Sequence, residues 1–165
     1  MRTKVLSLLV DNTSGVLSRV SGMFSRRGYN IDSLSVGVTQ DPKYSRMTVA
    51  VTGDDKILTQ IKSQLNKLED VVQIVELKDG ESVCRELVLI KVKADNEQRQ
   101  QIISVANVYR ANIVDVSPDS IMIEITGSNN KVQAFINLLD GFEIEELVRT
   151  GLTGLTRGTF DSLVV

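Results

Sequence analysis

Val5-Leu6-Ser7-Leu8-Leu9-Val10-Asp11-Asn12-Thr13-Ser14-Gly15-Val16-Leu17-Ser18-Arg19-Val20 is the stretch on which the fold turns. Val5 to Val10 is an aliphatic run of strand length, and Asp11 to Gly15 breaks it with turn and cap residues. Val16, Leu17, Val20, Met23 and Phe24 then recur at three- and four-residue steps, which puts them on one helix face. Gly28, following Arg26-Arg27, is the stop signal.

Beyond this helix, Ile31, Leu34, Val36 and Val38 predict a second strand. Asp41-Pro42-Lys43 punctuates it before Met47, Val49 and Val51 alternate through a third. Gly53-Asp54-Asp55 leads into Ile57, Leu58, Ile61, Leu65 and Leu68 at helical spacing, and Val71 to Leu77 reads as strand again. The order βαββαβ lets both helices pack on one face of a single antiparallel sheet, the split-βαβ or ferredoxin-like arrangement. The opposite sheet face, carrying Ser33, Ser35 and Gly37 on the second strand, is left mildly polar or covered by a partner.

Lys78 to Ser82 has linker composition, and the same grammar restarts at Glu86-Leu87-Val88-Leu89-Ile90-Lys91-Val92. Ile102, Ile103, Val105, Ala106 and Tyr109 mark a helix, Asn112-Ile113-Val114-Asp115 echoes Asn30-Ile31-Asp32, and Ile125-Thr126-Gly127 echoes Val51-Thr52-Gly53. The helices from Ile57 to Leu68 and from Val132 to Leu139 also correspond. The expected class is therefore α+β, with two ferredoxin-like domains over residues 1–78 and 84–165. Only the first copy keeps a glycine in its strand-to-helix turn; Ala94-Asp95-Asn96-Glu97 takes that place in the second.

Composition narrows the function classes. The chain has 165 residues, 19 basic and 21 acidic, so its formal charge of -2 gives no field for nucleic acid or an anionic membrane. Aromatics are 4% with no Trp, which leaves few platforms for stacking bases. Cys84 is the single cysteine, which excludes an intrachain disulfide and fits a reducing compartment. The apolar amino terminus runs into Asp11-Asn12 without a small-residue cleavage pattern, and no apolar run approaches the roughly 20 residues that span a bilayer, so a cytoplasmic protein is expected. Histidine is absent, which removes the commonest proton shuttle and transition-metal ligand. An independent enzyme on this fold would also need a convergent acid–base pair, and none is visible.

Two loops carry binding chemistry. Where a strand hands over to a helix, first-turn N–H groups lack intrahelical partners and sit at the positive end of the dipole, so the Asp11–Gly15 loop can seat a carboxylate. Gly15 allows close backbone approach, and Asn12 offers an amide. The competing reading is a plain N-cap by Thr13 or Ser14. In the second loop, Gly28 is explained as a helix C′ residue, while Asn30 and Ile31 pair an amide with an aliphatic wall, which suits an aliphatic amino acid. Glu143, Glu145 and Glu146 alternate with Phe142, Ile144 and Leu147 and read as a solvated strand edge rather than a metal site. Gly151 to Gly158 lacks the Lys-Ser/Thr ending of a P-loop and reads as a flexible or docking tail.

Three strings together carry a family resemblance: Asn12-Thr13-Ser14-Gly15-Val16-Leu17-Ser18-Arg19-Val20, Phe24-Ser25-Arg26-Arg27-Gly28-Tyr29-Asn30-Ile31-Asp32-Ser33-Leu34 and Ser45-Arg46-Met47-Thr48. With Arg149-Thr150-Gly151 and Leu155-Thr156-Arg157-Gly158, the chain resembles the small regulatory subunits of acetolactate synthase (acetohydroxyacid synthase) over nearly its whole length. The resemblance implies an ACT domain first, a ferredoxin-like domain second, and a homodimer in which ACT domains join side by side. It implies that valine, or another branched-chain amino acid, binds at the ACT interface. That binding would inhibit a separate large catalytic subunit which this chain otherwise activates. Thiamine diphosphate, FAD and Mg²⁺ would belong to that subunit, with no cofactor here. By position, the effector residues implied are Asn12, Ser14, Gly15, Val16 and Ser18, with Asn30 and Ile31 from the second loop. Asp11 stands where some relatives have Glu, a departure that bears on effector strength. An ACT-type sensor regulating a different enzyme or a transcription factor is the alternative.

Overall fold

The computed structural model describes residues 1–158, which divide into two compact units: residues 1–84 with Leu152 onward, and residues 85–151. In the first, β1 (Arg2–Asp11), α1 (Val16–Arg26), β2 (Ile31–Val38), β3 (Tyr44–Gly53), α2 (Asp55–Leu65) and β4 (Val71–Glu76) follow the expected βαββαβ order. All pairings are antiparallel and the strand order is β2-β3-β1-β4, so the strands flanking each helix are not neighbours in the sheet.

Alternation decides which face is core. Leu6 and Leu8 of β1 lie across from Val49 and Met47 of β3, and these apolar positions, with Val10, share a core with Val16, Val20, Met23 and Phe24 of α1 and Leu58, Ile61 and Leu65 of α2. Asp54 caps α2 by accepting from the Ile57 N–H at 2.7 Å. Glu76 ties the unit together at its other end, accepting from Lys62 of α2 and lying 3.4 Å from Lys4 of β1. The Lys62 hydrogen bond, followed by the neighbouring charges, holds the Glu76 carboxyl below its ordinary value of 4.5.

Because the unfolded chain takes up that proton first as the solution is acidified, the stabilisation is complete above the ordinary glutamate range and is lost as pH falls through the lowered value. Partial exposure limits it to about 1 kcal/mol. Urea midpoints measured between about pH 6 and about pH 3 should therefore fall more steeply for the parent chain than for Glu76→Gln; parallel curves would remove Glu76 from the acid response.

The second unit repeats the plan with β5 (Ser82–Lys93), α3 (Asn96–Val108), β6 (Asn112–Val116), β7 (Ser120–Gly127), α4 (Asn129–Leu138) and β8 (Glu143–Arg149), in the order β6-β7-β5-β8. Val88, Ile90, Val92, Ile121, Ile123 and Ile125 from the two central strands meet Ile102, Ala106, Val132 and Phe135 from the helices. Asp95 and Gln98 form a reciprocal capping box on α3, and Ser128 caps α4. Glu146 pairs with Lys91 at 3.0 Å and Glu143 with Lys93 at 3.7 Å, so these acids serve strand pairing. The Glu146 hydrogen bond, then its charge, raises the Lys91 ammonium above its usual value.

Leu152 to Gly158 groups with the first unit, and residues 159–165 of the expected second domain lie outside the described residues. β9 (Thr153–Thr156) pairs with β5, and the Arg157 N–H donates to the Glu81 carbonyl at 2.8 Å. Leu152 accepts from the Ser35 hydroxyl at 3.0 Å, and its N–H lies 3.4 Å from the Ser33 hydroxyl. The segment expected to be a flexible or docking tail is thus a strand seated on the polar face of β2. Gly154 permits the close pairing with β5, because a Cβ there would lie 2.7 Å from the Val83 carbonyl and from the Cys84 sulfur. Among the described residues, no helix is long and apolar enough to cross a membrane.

Candidate functional site

β1 ends at Asp11, whose N–H bonds the Asp70 carbonyl at 2.9 Å, and the chain then turns through Asn12–Gly15 into α1. Asn12 braces this turn twice: its N–H reaches the Lys43 carbonyl at 2.8 Å and its side-chain amide the Pro42 carbonyl at 2.9 Å. The Asn12 amide therefore positions the loop against the β2–β3 turn.

Gly15 occupies the N-cap position with φ 86° and ψ -4°, in the left-handed region, and no side chain caps the helix start. This settles the choice left open by Thr13 and Ser14, since neither hydroxyl closes α1, whereas Asp54, Asp95 and Ser128 close the other helices. No acidic residue occupies the first turn. The Val16 N–H meets the Thr13 carbonyl only at 3.5 Å, near the limit of a useful bond. The Val16 side chain is buried in the core and fixes the helix to the sheet, while Ser14, Gly15 and Ser18 are exposed. The result is an uncapped helix start behind a glycine whose missing Cβ leaves room for the Arg19 guanidinium.

Asn30 and Ile31 lie elsewhere. Ile31 opens β2 opposite Val51 and packs on the core, and the exposed Asn30 amide donates to Asp32 at 3.2 Å. The first loop adjoins the other sheet end, where Asp11 pairs with Tyr44 and Val38 with Ser45. An 11-residue helix separates the two loops, a length of about 16 Å at 1.5 Å per residue. One chain does not bring Asn12, Ser14, Gly15, Val16 and Ser18 together with Asn30 and Ile31 around a single amino acid.

Two site residues were not legible beforehand. Arg19 grips Asp70 with a forked pair of bonds, Nε to Oδ2 at 2.5 Å and Nη2 to Oδ1 at 3.1 Å, and Nη2 also lies 3.4 Å from the Ser14 carbonyl. The mutual hydrogen bond lowers the Asp70 carboxyl and raises the Arg19 guanidinium from their ordinary values. Arg19 follows Gly15 by four residues, one helical turn, which was the available signal that it shares the loop's side of α1. Among the described residues no group of His, Cys, Asp and Glu could hold a metal ion.

A four-stranded antiparallel sheet with both helices on one face, and a glycine-opened helix start after its first strand, defines the first unit as an ACT domain joined to a second ferredoxin-like unit. The chain belongs to the acetolactate synthase small-subunit family: residues 6–73 match the AHAS small subunit-like ACT domain, and residues 85–158 match the family described as the small subunit of acetolactate synthase. It is 49% identical over 157 residues to the acetolactate synthase small subunit of Mycobacterium bovis, covering 95% of this chain and 94% of that protein. It is 47% identical over 158 residues to the probable acetolactate synthase small subunit of Methanothermobacter thermautotrophicus, with the same coverage of 95% and 94%. The crystal structure of the small subunit from Thermotoga maritima superposes with a TM-score of 0.88 at 42% identity, covering 96% of this chain and 99% of that one.

Proposed function

We propose that this chain is the regulatory subunit of an acetolactate synthase in branched-chain amino acid biosynthesis, active in the cytoplasm. It activates a thiamine-diphosphate-dependent large subunit and confers feedback inhibition by valine or a related amino acid. The observation that carries the effector reading is the start of α1, left without a side-chain cap behind a left-handed Gly15 in a chain of this family. Free N–H groups at a helix start suit a carboxylate, and an aliphatic wall beside an amide suits the rest of a branched-chain zwitterion.

The separation of the two loops supports a homodimer. In this arrangement one protomer gives Ser14, Gly15 and Val16 to the carboxylate, with Asn12 and Ser18 shaping that side, and its partner gives Asn30 and Ile31. An effector shared by two ACT domains then couples binding to dimer geometry. Inhibition further requires the effector to prefer the less active arrangement of the complex, since equal affinity for both shifts nothing. Pyruvate condensation to acetolactate, with thiamine diphosphate, FAD and Mg²⁺, is the work of the catalytic partner.

Reconstitution tests this reading. The purified chain with pyruvate, thiamine diphosphate, FAD and Mg²⁺ should form no acetolactate. Added to its large subunit, it should raise the rate and make that rate sensitive to valine, leucine or isoleucine. A large subunit whose rate and amino-acid sensitivity are the same with and without this chain would refute it.

A further inference from the structure

We propose that Arg19 supplies the cationic contact for the effector's carboxylate, a role that deepens the effector reading above and rests on it. A guanidinium offers five N–H donors in a fixed plane. Three are committed: Nε and one Nη2 hydrogen to Asp70, the other Nη2 hydrogen toward the Ser14 carbonyl. The Nη1 group has no partner among the described residues, and it is the part of the side chain that stands over the loop. A Cβ built on Gly15 would lie 2.8 Å from Nη1, closer than from any other Arg19 atom. The unsatisfied edge of the guanidinium therefore adjoins the open backbone donors of α1. The Arg19 side chain is 48% exposed, so a small solute can reach it.

Asp70 acts as a positioning residue. Its forked grip fixes the plane of the guanidinium, and a planar fork held in place loses little freedom when it takes a second carboxylate. The helix start alone offers about half a unit of positive charge. Arg19 adds directed, charge-assisted donors, and so makes the site select a free carboxylate over an uncharged end group of the same shape.

Valine and valinamide separate that role from a structural one, because the two ligands share the aliphatic group and the amine. Each is titrated calorimetrically into the full chain and its Arg19→Gln, Arg19→Lys and Asp70→Asn variants, with far-UV circular dichroism on all of these proteins. The parent should prefer valine. Arg19→Gln should weaken valine by about tenfold or more, the loss expected for a hydrogen bond to a charged group, and leave valinamide unchanged. Asp70→Asn keeps the cation but loosens the grip that sets its plane, so it should reduce the preference by less than Arg19→Gln does; Arg19→Lys, which keeps a charge without the planar fork, should likewise fall between parent and Arg19→Gln, and decides the matter should Arg19→Gln fail to fold. Arg19→Gln weakening both ligands alike or neither, or Asp70→Asn and Arg19→Lys both keeping the parent's full preference, overturns the role of Arg19 while leaving the effector reading intact. A parent chain that binds neither valine, leucine nor isoleucine overturns both.

Discussion

Gly15→Asp should weaken valine binding by at least about 100-fold while leaving the chain folded. The backbone at this position has φ 86°, and Asp is among the few side chains that tolerate the left-handed region, so the conformational cost is of order 1 kcal/mol. The steric cost falls on the Arg19 guanidinium, whose Nη1 a new Cβ would meet at 2.8 Å, and Gly15→Ala carries that cost equally. What remains is charge. A carboxylate on this loop recruits Arg19 and faces the ligand's carboxylate, a repulsion of about 4 kcal/mol for unit charges about 4 Å apart at an effective dielectric constant of about 20. Gly15→Ala shares the strain without the charge and should lose far less affinity. Calorimetry on both variants reads the difference, and valine binding by Gly15→Asp equal to that of the parent would remove this loop from the site.

Phe24→Ala should cost about 3–5 kcal/mol of stability, the range for truncating a fully buried aromatic residue. Phe24 is 1% exposed on the buried face of α1, in the same core as Val20, Met23, Met47 and Val49. Such a loss is a large share of the 5–15 kcal/mol typical of a domain. It bears on the proposed function because α1 is the helix whose start is the proposed effector seat, and the same apolar face that fills the core fixes the direction of its open N–H groups. The variant should show a much lower urea midpoint and lose effector binding near physiological temperature, and Phe24→Leu should recover most of both. An unfolding free energy within about 1 kcal/mol of the parent's would mean that α1 is held by something other than this packing.

These two residues show why part of the molecule was legible beforehand. The helix period from Val16 to Phe24 and the strand run from Val5 to Val10 are local patterns, and each reports which face is buried, except at Leu17, which lies at the edge of the helix face and is exposed. The same applies to the second copy of the fold, although α3 begins at Asn96, ahead of its first apolar residue. Asp95 and Gln98 cap a polar first turn there, a signal that lies in the cap residues and not in the hydrophobic period. The choice between a capped and an open α1 could not be read locally, because Thr13, Ser14 and Gly15 are all acceptable cap residues. It is decided by the turn that Asn12 makes against Pro42 and Lys43.

Longer-range features were invisible for a related reason. Arg19 and Asp70 are 51 positions apart, and only the pairing of β4 with β1 puts Asp70 beside the loop. The glycine-rich segment from Gly151 has the composition of a loop, yet Gly154 is required by the closeness of Val83 and Cys84, a contact no local pattern encodes.

The most direct test is to follow the backbone amides of the isotope-labelled chain by NMR while adding valine, leucine or isoleucine. The account predicts saturable shifts at Gly15, Val16, Asn30 and Ile31 with at least one of the three, and none of comparable size along β6, β7 and β8. Amides of the β1–α1 loop that stay unmoved through saturating concentrations of all three would contradict it.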